Sequence, residues 1–372
     1  MNNNNLTIIS YRQILFLTIA QLGGAAILYL PGMKEAGRDV WISNIIASVM
    51  AYIVIYCNYL PLSLCPGGSM TKTLNKYWGK IFGGLVNVYY LLFFFILSLL
   101  IVSDVYYLGK ITMPETPGYI FIIFFLIPTM YALKLGVEVF IRFMEFILPI
   151  LVVIYIILYL LVIPKLDYQK ILPIMSDGIK PVFSGAIPNL NFPYAQVLPV
   201  VFFYKHIKGD RNERKKFIKY SFLGILGATI LLSIRSLAST TAFEEFTLKT
   251  LTFPPLSTIR IIQVGDVIER LDPFFYAILY IATFFKFLIT FYVICEIISE
   301  LFNVGEPRDF AIPVAVLIGV FMPYAIHKFD IILRTVVPYF ILSIPLFFPI
   351  PILLYATIKY KNKKNKKETV NQ

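Results

Sequence analysis

Two apolar stretches of this chain, each long enough to cross a membrane, are interrupted near their middle and occupy matching places in the two halves of the sequence. The first covers about residues 14–30 and is split by Gly23-Gly24. The second covers about residues 182–204 and is split between Pro188 and Pro193. Unwound backbone at bilayer depth survives only where it faces protein or a water-filled cavity. Paired breaks in corresponding spans of two repeats are typical of a solute site near mid-membrane.

The composition excludes a soluble protein. The chain has 372 residues, of which 58% are hydrophobic and 15% are charged, and its mean hydropathy is +0.77. With about 20 residues needed for each membrane-spanning helix, the apolar stretches predict an all-α polytopic membrane protein with about ten spans. These spans are 12–31, 41–61, 82–109, 118–134, 143–163, 184–204, 217–241, 273–298, 310–326 and 336–358.

The ten spans divide into two sets of five. An odd number of spans in each half forces the second half to insert with inverted topology, as in inverted-repeat transporters. The predicted organisation is a first five-helix repeat over 1–163, an outside connector over 164–183, a second five-helix repeat over 184–358, and a basic tail over 359–372.

The net charge of +12 has a topological explanation. With both termini in the cytoplasm, the inner loops and tail carry nearly twice as many Lys and Arg residues as the outer loops. This bias satisfies the positive-inside rule and predicts cytoplasmic termini. The basic tail is interpreted as a contact to anionic lipid, and no nucleic-acid partner is expected.

No cofactor, metal site or enzymatic centre is predicted. The three cysteines, Cys57, Cys65 and Cys295, lack metal-ligand spacing and lie in or beside apolar spans, so we interpret them as packing residues. The sequence shows no phosphate-binding loop and no pairing of a nucleophile with a base.

The first break contributes four candidate ligand-binding residues: Gln21, Gly23, Gly24 and Ala25. Small residues let backbone amides and carbonyls approach a solute, and the N-terminus of a half-helix favours a carboxylate. The alternative is that the small residues allow a close helix–helix contact, which is common in membranes.

The second break contributes Asn191, Tyr194 and Gln196, and Asn189 lies just before them. These side chains can hydrogen-bond the polar groups of a solute. Asparagine is also a good cap for a freed helix end, and the two roles are compatible.

Two basic residues, Lys286 and Arg235, lie within predicted spans. A charge at this depth usually faces the interior of the bundle and indicates function. Lys286 is expected to replace a coupling cation, to bind an anionic group of the ligand, or to pair with Asp104 or Glu296. Arg235 lies nearer the outer end of its span and is expected to reach the interface by snorkelling. Neighbouring side chains complete the candidate site: Phe94, Ser98, Thr283 and Phe287.

Three motifs in this chain resemble motifs of a known family. Residues 30–41, LPGMKEAGRDVW, resemble a signature that follows the first span of the spore germination protein family, the B-type membrane subunits of endospore germinant receptors. The segment Asn191-Phe192-Pro193-Tyr194 and the segment Glu269-Arg270-Leu271-Asp272 are similar to further motifs of that family.

The resemblance implies a fold and a function. The family belongs to the amino acid–polyamine–organocation superfamily, so the expected fold is a leucine-transporter-like 5+5 inverted repeat with broken helices 1 and 6. The implied function is the sensing of a small nutrient, typically an amino acid, beside A- and C-type subunits in the spore inner membrane. Many members of the family carry a glutamate after the second break, where this chain has Ala195-Gln196. A neutral amide favours zwitterionic or uncharged ligands, because no local carboxylate pairs a cation.

Three functions are compatible with these features. The first is a receptor subunit in which solute binding shifts the bundle between two states. The second is an active amino-acid transporter, coupled to protons or another cation, that uses the same site. The third is a structural scaffold for partner subunits.

Overall fold

The computed structural model describes residues 9–65, 67–207, 211–262, 271–325 and 329–370. Within these ranges the chain is helical almost throughout, and its only β-type pairing is an isolated bridge between Ile9 and Ile207. The α-helices are α1 (Tyr11–Gly23), α2 (Met33–Ala36), α3 (Val40–Leu64), α4 (Met70–Trp78), α5 (Lys80–Thr112), α6 (Gly118–Lys134), α7 (Val137–Val162), α8 (Ile179–Asn191), α9 (Pro199–Phe202), α10 (Arg211–Ala242), α11 (Glu245–Thr250), α12 (Pro254–Arg260), α13 (Asp272–Phe302), α14 (Ala311–Ala325), α15 (Phe329–Phe347) and α16 (Pro349–Val370).

The predicted membrane-spanning segments correspond to these helices. In the described ranges, seven helical segments are long and apolar enough to cross a membrane, and α6 is a shorter apolar helix. Each of the two interrupted spans is made of two or more short helices, so neither forms one full-length helix. The all-α polytopic fold is therefore confirmed, whereas the division into repeats at 163 and 184 stays a prediction.

The C-terminal part differs from the prediction in detail. The predicted span 336–358 contains the end of α15 and the start of α16, which are separated at Phe348. Three prolines, Pro345, Pro349 and Pro351, surround this point, and proline cannot donate the helical hydrogen bond. The segment predicted as a basic tail is helical, since α16 continues to Val370.

Helix α1 lies inside the bundle and packs against α10, α13 and α7. Helix α13 is the most enclosed of the long helices, with 83% of its most apolar window buried, compared with half or less in the others. Polar and charged side chains in the middle of α13 therefore face protein. We call the end of the bundle that carries Ile9 the terminal end, and the opposite end the distal end.

Helices α8 and α3 pack closely because glycine stands at their crossing. A Cβ atom added at Gly185 would lie 2.6 Å from the Cβ atom of Ala36 and 2.8 Å from Oγ of Ser43. Ser43 also donates a hydrogen bond of 2.7 Å to the carbonyl of Val182, which fixes the register of the two helices.

We expect Gly185→Val to lower the free energy of unfolding by about 1–3 kcal/mol, the usual effect of overpacking. Thermal unfolding of the detergent-purified protein measures this effect. The control is Gly84→Val on α5, where an added Cβ atom would meet only Leu301 at 3.9 Å. Equal melting temperatures for the two variants would contradict the close α8–α3 contact.

Candidate functional site

The first helix breaks where the sequence predicts. Helix α1 ends at Gly23, and residues Gly24–Leu28 form a 3-10 helix. Gly24 has φ +25° and ψ −134°, a conformation that disfavours every residue except glycine. A Cβ atom at Gly24 would lie 2.5 Å from Cδ and 2.9 Å from Cβ of Lys286. Glycine therefore allows both the backbone turn and the close approach of Lys286 from α13.

The second break is shorter than predicted. Pro188 lies inside α8, which ends at Asn191, so the interruption begins at Phe192 rather than at Pro188. Phe192 is extended, and its bond to Pro193 is cis. Pro188 cannot donate a hydrogen bond to the carbonyl of Ser184, yet α8 continues for three more residues to Asn191. The chain resumes as a 3-10 helix at Tyr194–Val197.

Asn189 connects the two breaks. Its side-chain amide donates hydrogen bonds of 2.9 Å to the carbonyl of Pro31 and 3.0 Å to that of Gly185. The first bond joins the chain just after the first break to α8, just before the second. Asn189 therefore satisfies backbone groups at the broken helices, the capping role considered for these asparagines.

Gln21 makes a second connection between the breaks. Its Nε2 donates a hydrogen bond of 2.8 Å to the carbonyl of Gln196 and lies 3.5 Å from Oγ1 of Thr290 on α13. Both glutamine side chains are buried, and the Oε1 atom of each lacks a hydrogen-bond donor within the described residues. Three segments thus present buried polar groups at one place, including unused acceptors for a solute N–H or O–H group.

Lys286 is fully buried on α13. Its Nζ atom lies 4.9 Å from the centre of the Phe192 ring, a cation–π contact. Sequence reasoning missed Phe192 as a site residue, although it stands within the predicted break. Nζ has no hydrogen-bond acceptor within the described ranges.

Neither carboxylate suggested as a partner of Lys286 pairs with it. Asp104 accepts a hydrogen bond of 2.7 Å from the hydroxyl of Tyr29 and acts on Lys286 only as a nearby charge. Glu296 lies 2.8 Å from Nζ of Lys205. Among the described residues Lys286 has no carboxylate within 4.0 Å, and Asp104 is the carboxylate whose charge acts on it from farther away. The cation-replacing and ligand-binding roles of Lys286 stay predictions.

The expectation that Arg235 snorkels to the interface is wrong. Arg235 is 0% exposed, and its Nη1 donates to the carbonyl of Ala26 in the unwound part of the first span. It lies on the face of α10 that packs against α1 and faces protein rather than water. Two buried cations, Arg235 and Lys286, therefore flank the first break from different helices.

Several predicted site residues point elsewhere. The hydroxyl of Tyr194 donates a hydrogen bond of 3.0 Å to the hydroxyl of Thr229 on α10. Phe287 packs against Phe125 of α6, with ring centres 5.3 Å apart. Ser98 donates a hydrogen bond to a carbonyl of its own helix, and Phe94 packs on Phe202.

The predicted site residues that meet at the breaks or are buried near them are Gln21, Gly23, Gly24, Asn191, Gln196 and Lys286. Thr283 is buried on α13, and the side chain of Ala25 lies outside what the structure describes.

A small cavity of about 30 Å³ lies beside the first break. Gly23 and Gly24 line it at the break itself, Tyr155 from α7, Leu231 from α10 and Ala282 from α13. The side chains that line this cavity are almost all apolar, and its volume is too small for a whole amino acid.

The distal side of the breaks is covered by aromatic rings. The ring of Tyr29 meets those of Phe192 and Phe253 edge-on, each with centres 5.5 Å apart. The hydrogen bond from Tyr29 to Asp104 fastens this cover to α5. Phe253 immediately precedes α12, so the connection after α10 supplies part of the cover.

The terminal side is closed by a buried ion cluster, which we call the terminal latch: Ser69, Lys205, His206, Tyr292, Glu296 and Glu300. Nζ of Lys205 lies 2.8 Å from a carboxylate oxygen of Glu296 and 2.8 Å from one of Glu300. The latch joins the end of the second broken span to α13.

Two further contacts complete the terminal latch. Ser69 donates a hydrogen bond of 2.5 Å to Glu300, and Nε2 of His206 lies 2.6 Å from the hydroxyl of Tyr292.

Lys205, the cation of the terminal latch, lies just beyond the predicted sixth span. Burial would lower the pKa of Lys205, but the charges of Glu296 and Glu300 outweigh burial and raise that pKa above its ordinary value. Lys205 is therefore held as a cation. The sequence signal that could have revealed the terminal latch is the pair Glu296 and Glu300, which lie four residues apart near the end of an apolar span.

Comparison with known proteins gives a consistent result. The family model described as "Spore germination protein" matches residues 8–331. Spore germination protein KB of Bacillus subtilis (strain 168) is 26% identical over 372 residues, covering 96% of this chain and 97% of that protein. Spore germination protein YndE of the same strain is 24% identical over 303 residues, covering 79% of this chain and 81% of that protein. Spore germination protein XB of Bacillus anthracis is 27% identical over 247 residues, covering 64% and 66%.

Solved structures show the same fold at low sequence identity. Mhp1, a nucleobase-cation-symport-1 family transporter in a closed conformation with bromovinylhydantoin bound, aligns with a TM-score of 0.68 at 16% identity. The alignment covers 88% of this chain and 76% of Mhp1. A manganese transporter mutant of Eremococcus coleocola aligns with a TM-score of 0.57 at 10% identity, covering 96% and 77%. The leucine-transporter-like fold expected from the sequence is therefore confirmed.

Proposed function

The chain belongs to the spore germination protein family, and from this premise we propose that it is the nutrient-binding membrane subunit of a germinant receptor. The nutrient is a small solute, an amino acid in our proposal, held between the two broken spans. Its binding shifts the bundle between two states, and partner subunits respond to the shift. A ligand causes such a shift only through different affinities for the two states.

The observation that carries this proposal is the meeting of buried polar groups at the paired breaks. Gln21, Gln196 and Lys286 come from three different segments and retain polar atoms without partners among the described residues. Buried polar groups are normally satisfied, and exceptions call for an explanation. A bound solute supplies one, because its own donors and acceptors complete the set.

The closures support a switch between two states. The aromatic cover at the distal end and the terminal latch each join a broken span to an unbroken helix, α5 or α13. We propose that solute binding changes the balance between these two closures. A- and C-type receptor subunits are the proposed partners, and the proposed location is the spore inner membrane with both termini in the cytoplasm.

An active transporter is the second candidate, favoured by the fold shared with Mhp1. Lys286 also bears on it, because a buried lysine beside the first break suits the place of a coupling cation. A scaffold without a solute site is the third candidate. All three share the fold, and solute binding and turnover separate them.

The test uses the purified protein in liposomes with a panel of radiolabelled amino acids, sugars and nucleosides. We expect saturable binding without accumulation inside the vesicles. Uptake that concentrates an amino acid and collapses when ionophores remove the ion gradients would replace the receptor proposal by the transporter. The absence of binding to all amino acids, sugars and nucleosides tested, by a protein with a cooperative unfolding transition, would leave the scaffold.

A further inference from the structure

Arg235 has more hydrogen-bond donors than its surroundings use. A guanidinium group carries five N–H donors. One is accepted by the carbonyl of Ala26, and Nη2 has a long contact of 3.4 Å to the hydroxyl of Ser236. Nε has no acceptor within the described residues. A guanidinium that is 0% exposed and partly unsatisfied is costly, because buried donors without acceptors lose the hydrogen bonds that water would provide.

The charge of Arg235 is also unbalanced. Arginine stays protonated in proteins, so burial does not remove its charge. Within the described residues no carboxylate lies within 4.0 Å of it, and its electrostatic neighbours are Tyr155, Tyr159 and Tyr194. A charge at bilayer depth is ordinarily paired or part of a pathway. Tyrosine hydroxyls solvate a cation but do not neutralise it.

The second cation at the break does not balance the first. Lys286 lies against Gly24 from α13, while Arg235 reaches Ala26 from α10. The buried carboxylate that acts on Lys286, Asp104, is held by Tyr29 in the distal closure. The described side chains at the first break therefore carry more positive than negative charge. An anionic group is the chemistry that would balance them.

We propose that Arg235 binds the carboxylate group of the ligand at the first break. This inference rests on the proposed function and adds the chemical class of its ligand, a solute with a free carboxylate. The fork of the guanidinium matches the two oxygens of a carboxylate. The bond from Nη1 to Ala26 orients the fork, and Nε and Nη2 provide donors for the carboxylate oxygens.

The first test needs no variant. Thermal unfolding of the purified wild-type protein is measured with the twenty L-amino acids and with the matching amino acid amides. We expect at least one amino acid to raise the melting temperature, and its amide, which lacks the negative charge, to bind at least tenfold more weakly. Equal binding of an acid and its amide would overturn the proposal.

The second test uses Arg235→Gln, with Arg142→Gln as the matched control. Arg142 is exposed, and its ion-pair partner among the described residues is Glu138 on its own helix. We expect Arg235→Gln to weaken binding of the active amino acid at least tenfold and Arg142→Gln to leave it unchanged. If Arg235→Gln lacks a cooperative unfolding transition, Arg235→Lys replaces it, and we expect weaker binding because the fork is lost while the charge remains. Wild-type affinity in a folded Arg235 variant would overturn the proposal.

A third test distinguishes two possible ligands of Arg235, the carboxylate of the nutrient and a small free anion. Wild-type protein and Arg235→Gln are titrated with sodium acetate and with sodium chloride at constant ionic strength in methanesulfonate, an anion without a carboxylate. Competition between acetate and the amino acid would support a carboxylate site on the nutrient. An Arg235-dependent shift with chloride or acetate that leaves amino acid affinity unchanged would overturn the assignment to the nutrient and identify a separate anion site.

The outcomes also separate this inference from the proposed function. A sugar or nucleoside that binds wild type and Arg235→Gln with equal affinity would overturn the carboxylate assignment and leave the receptor proposal standing. If no solute of any class binds the folded protein, the proposed function itself fails.

Discussion

A Gly24→Ala variant is expected to insert and accumulate normally and to lose its response to nutrient. The φ value of +25° at Gly24 is unfavourable for any side chain, and such strain costs about 1–3 kcal/mol. The new Cβ atom would also lie 2.5 Å from the Lys286 side chain, so α1 and α13 must separate or Lys286 must move. Either change distorts the proposed site. We expect the nutrient concentration for half-maximal germination to rise at least tenfold.

The adjacent glycine provides a matched control. Gly23 has φ −63°, which any residue adopts, and a Cβ atom added there meets no described atom within 4 Å. Gly23→Ala is therefore expected to respond within about twofold of wild type, since the added methyl group causes neither a clash nor backbone strain. Germination is measured against nutrient concentration in spores with equal receptor levels. Identical curves for the two variants would show that the break does not form the site.

The second large effect is expected from Lys205→Met, which removes the cation of the terminal latch. Its loss leaves the carboxylates of Glu296 and Glu300 buried beside each other without Lys205. Breaking a buried ion pair by removing one partner typically costs about 3–5 kcal/mol. Since the latch joins the second broken span to α13, we expect the terminal end to open more often. Spores carrying this variant should germinate without added nutrient.

Lys72→Met is the matched control, because Lys72 lies 3.9 Å from the same carboxylate of Glu300 but has a 66% exposed side chain. Exposed ion pairs contribute little, so spontaneous germination should stay at the wild-type level. Germination in buffer alone and the melting temperatures of the purified variants are the two measurements. If Lys205→Met lowers the melting temperature while nutrient remains strictly required, the latch is a structural contact and not part of the switch.

The breaks were predictable because they depend on backbone chemistry. Gly24 and Pro193 carry conformational limits that act wherever they stand, so their positions in apolar stretches predicted interruptions. The membrane requirement for satisfied backbone groups then predicted the position of the site. The extent of the second break was predicted less well, because α8 continues past Pro188 to Asn191. Glu269 and Arg270 of the ERLD motif lie outside the described residues.

Side-chain directions were not predictable in the same way. Tyr194 and Phe287 lie in the expected helical segments but face α10 and α6, which depends on how the helices are rotated about their axes. Arg235 was misjudged because its depth in the span says nothing about which face of α10 meets α1. The contacts of Lys205 with Glu296 and Glu300 join residues about 90 positions apart, and no local pattern encodes such pairing.

Helix α13 carries Lys286 and Thr290 at the breaks, and Glu296 and Glu300 at the terminal latch. Fourteen residues of helix separate Lys286 from Glu300, a length of about 21 Å at 1.5 Å per residue. A rigid rod of that length works as a lever: a tilt of roughly 5° about Lys286 moves Glu300 by about 2 Å. That displacement is comparable with the 2.8 Å separation of Lys205 and Glu300. In the proposed receptor, a sub-ångström adjustment around a bound solute would be magnified at the far end of this helix, where a partner subunit could detect it.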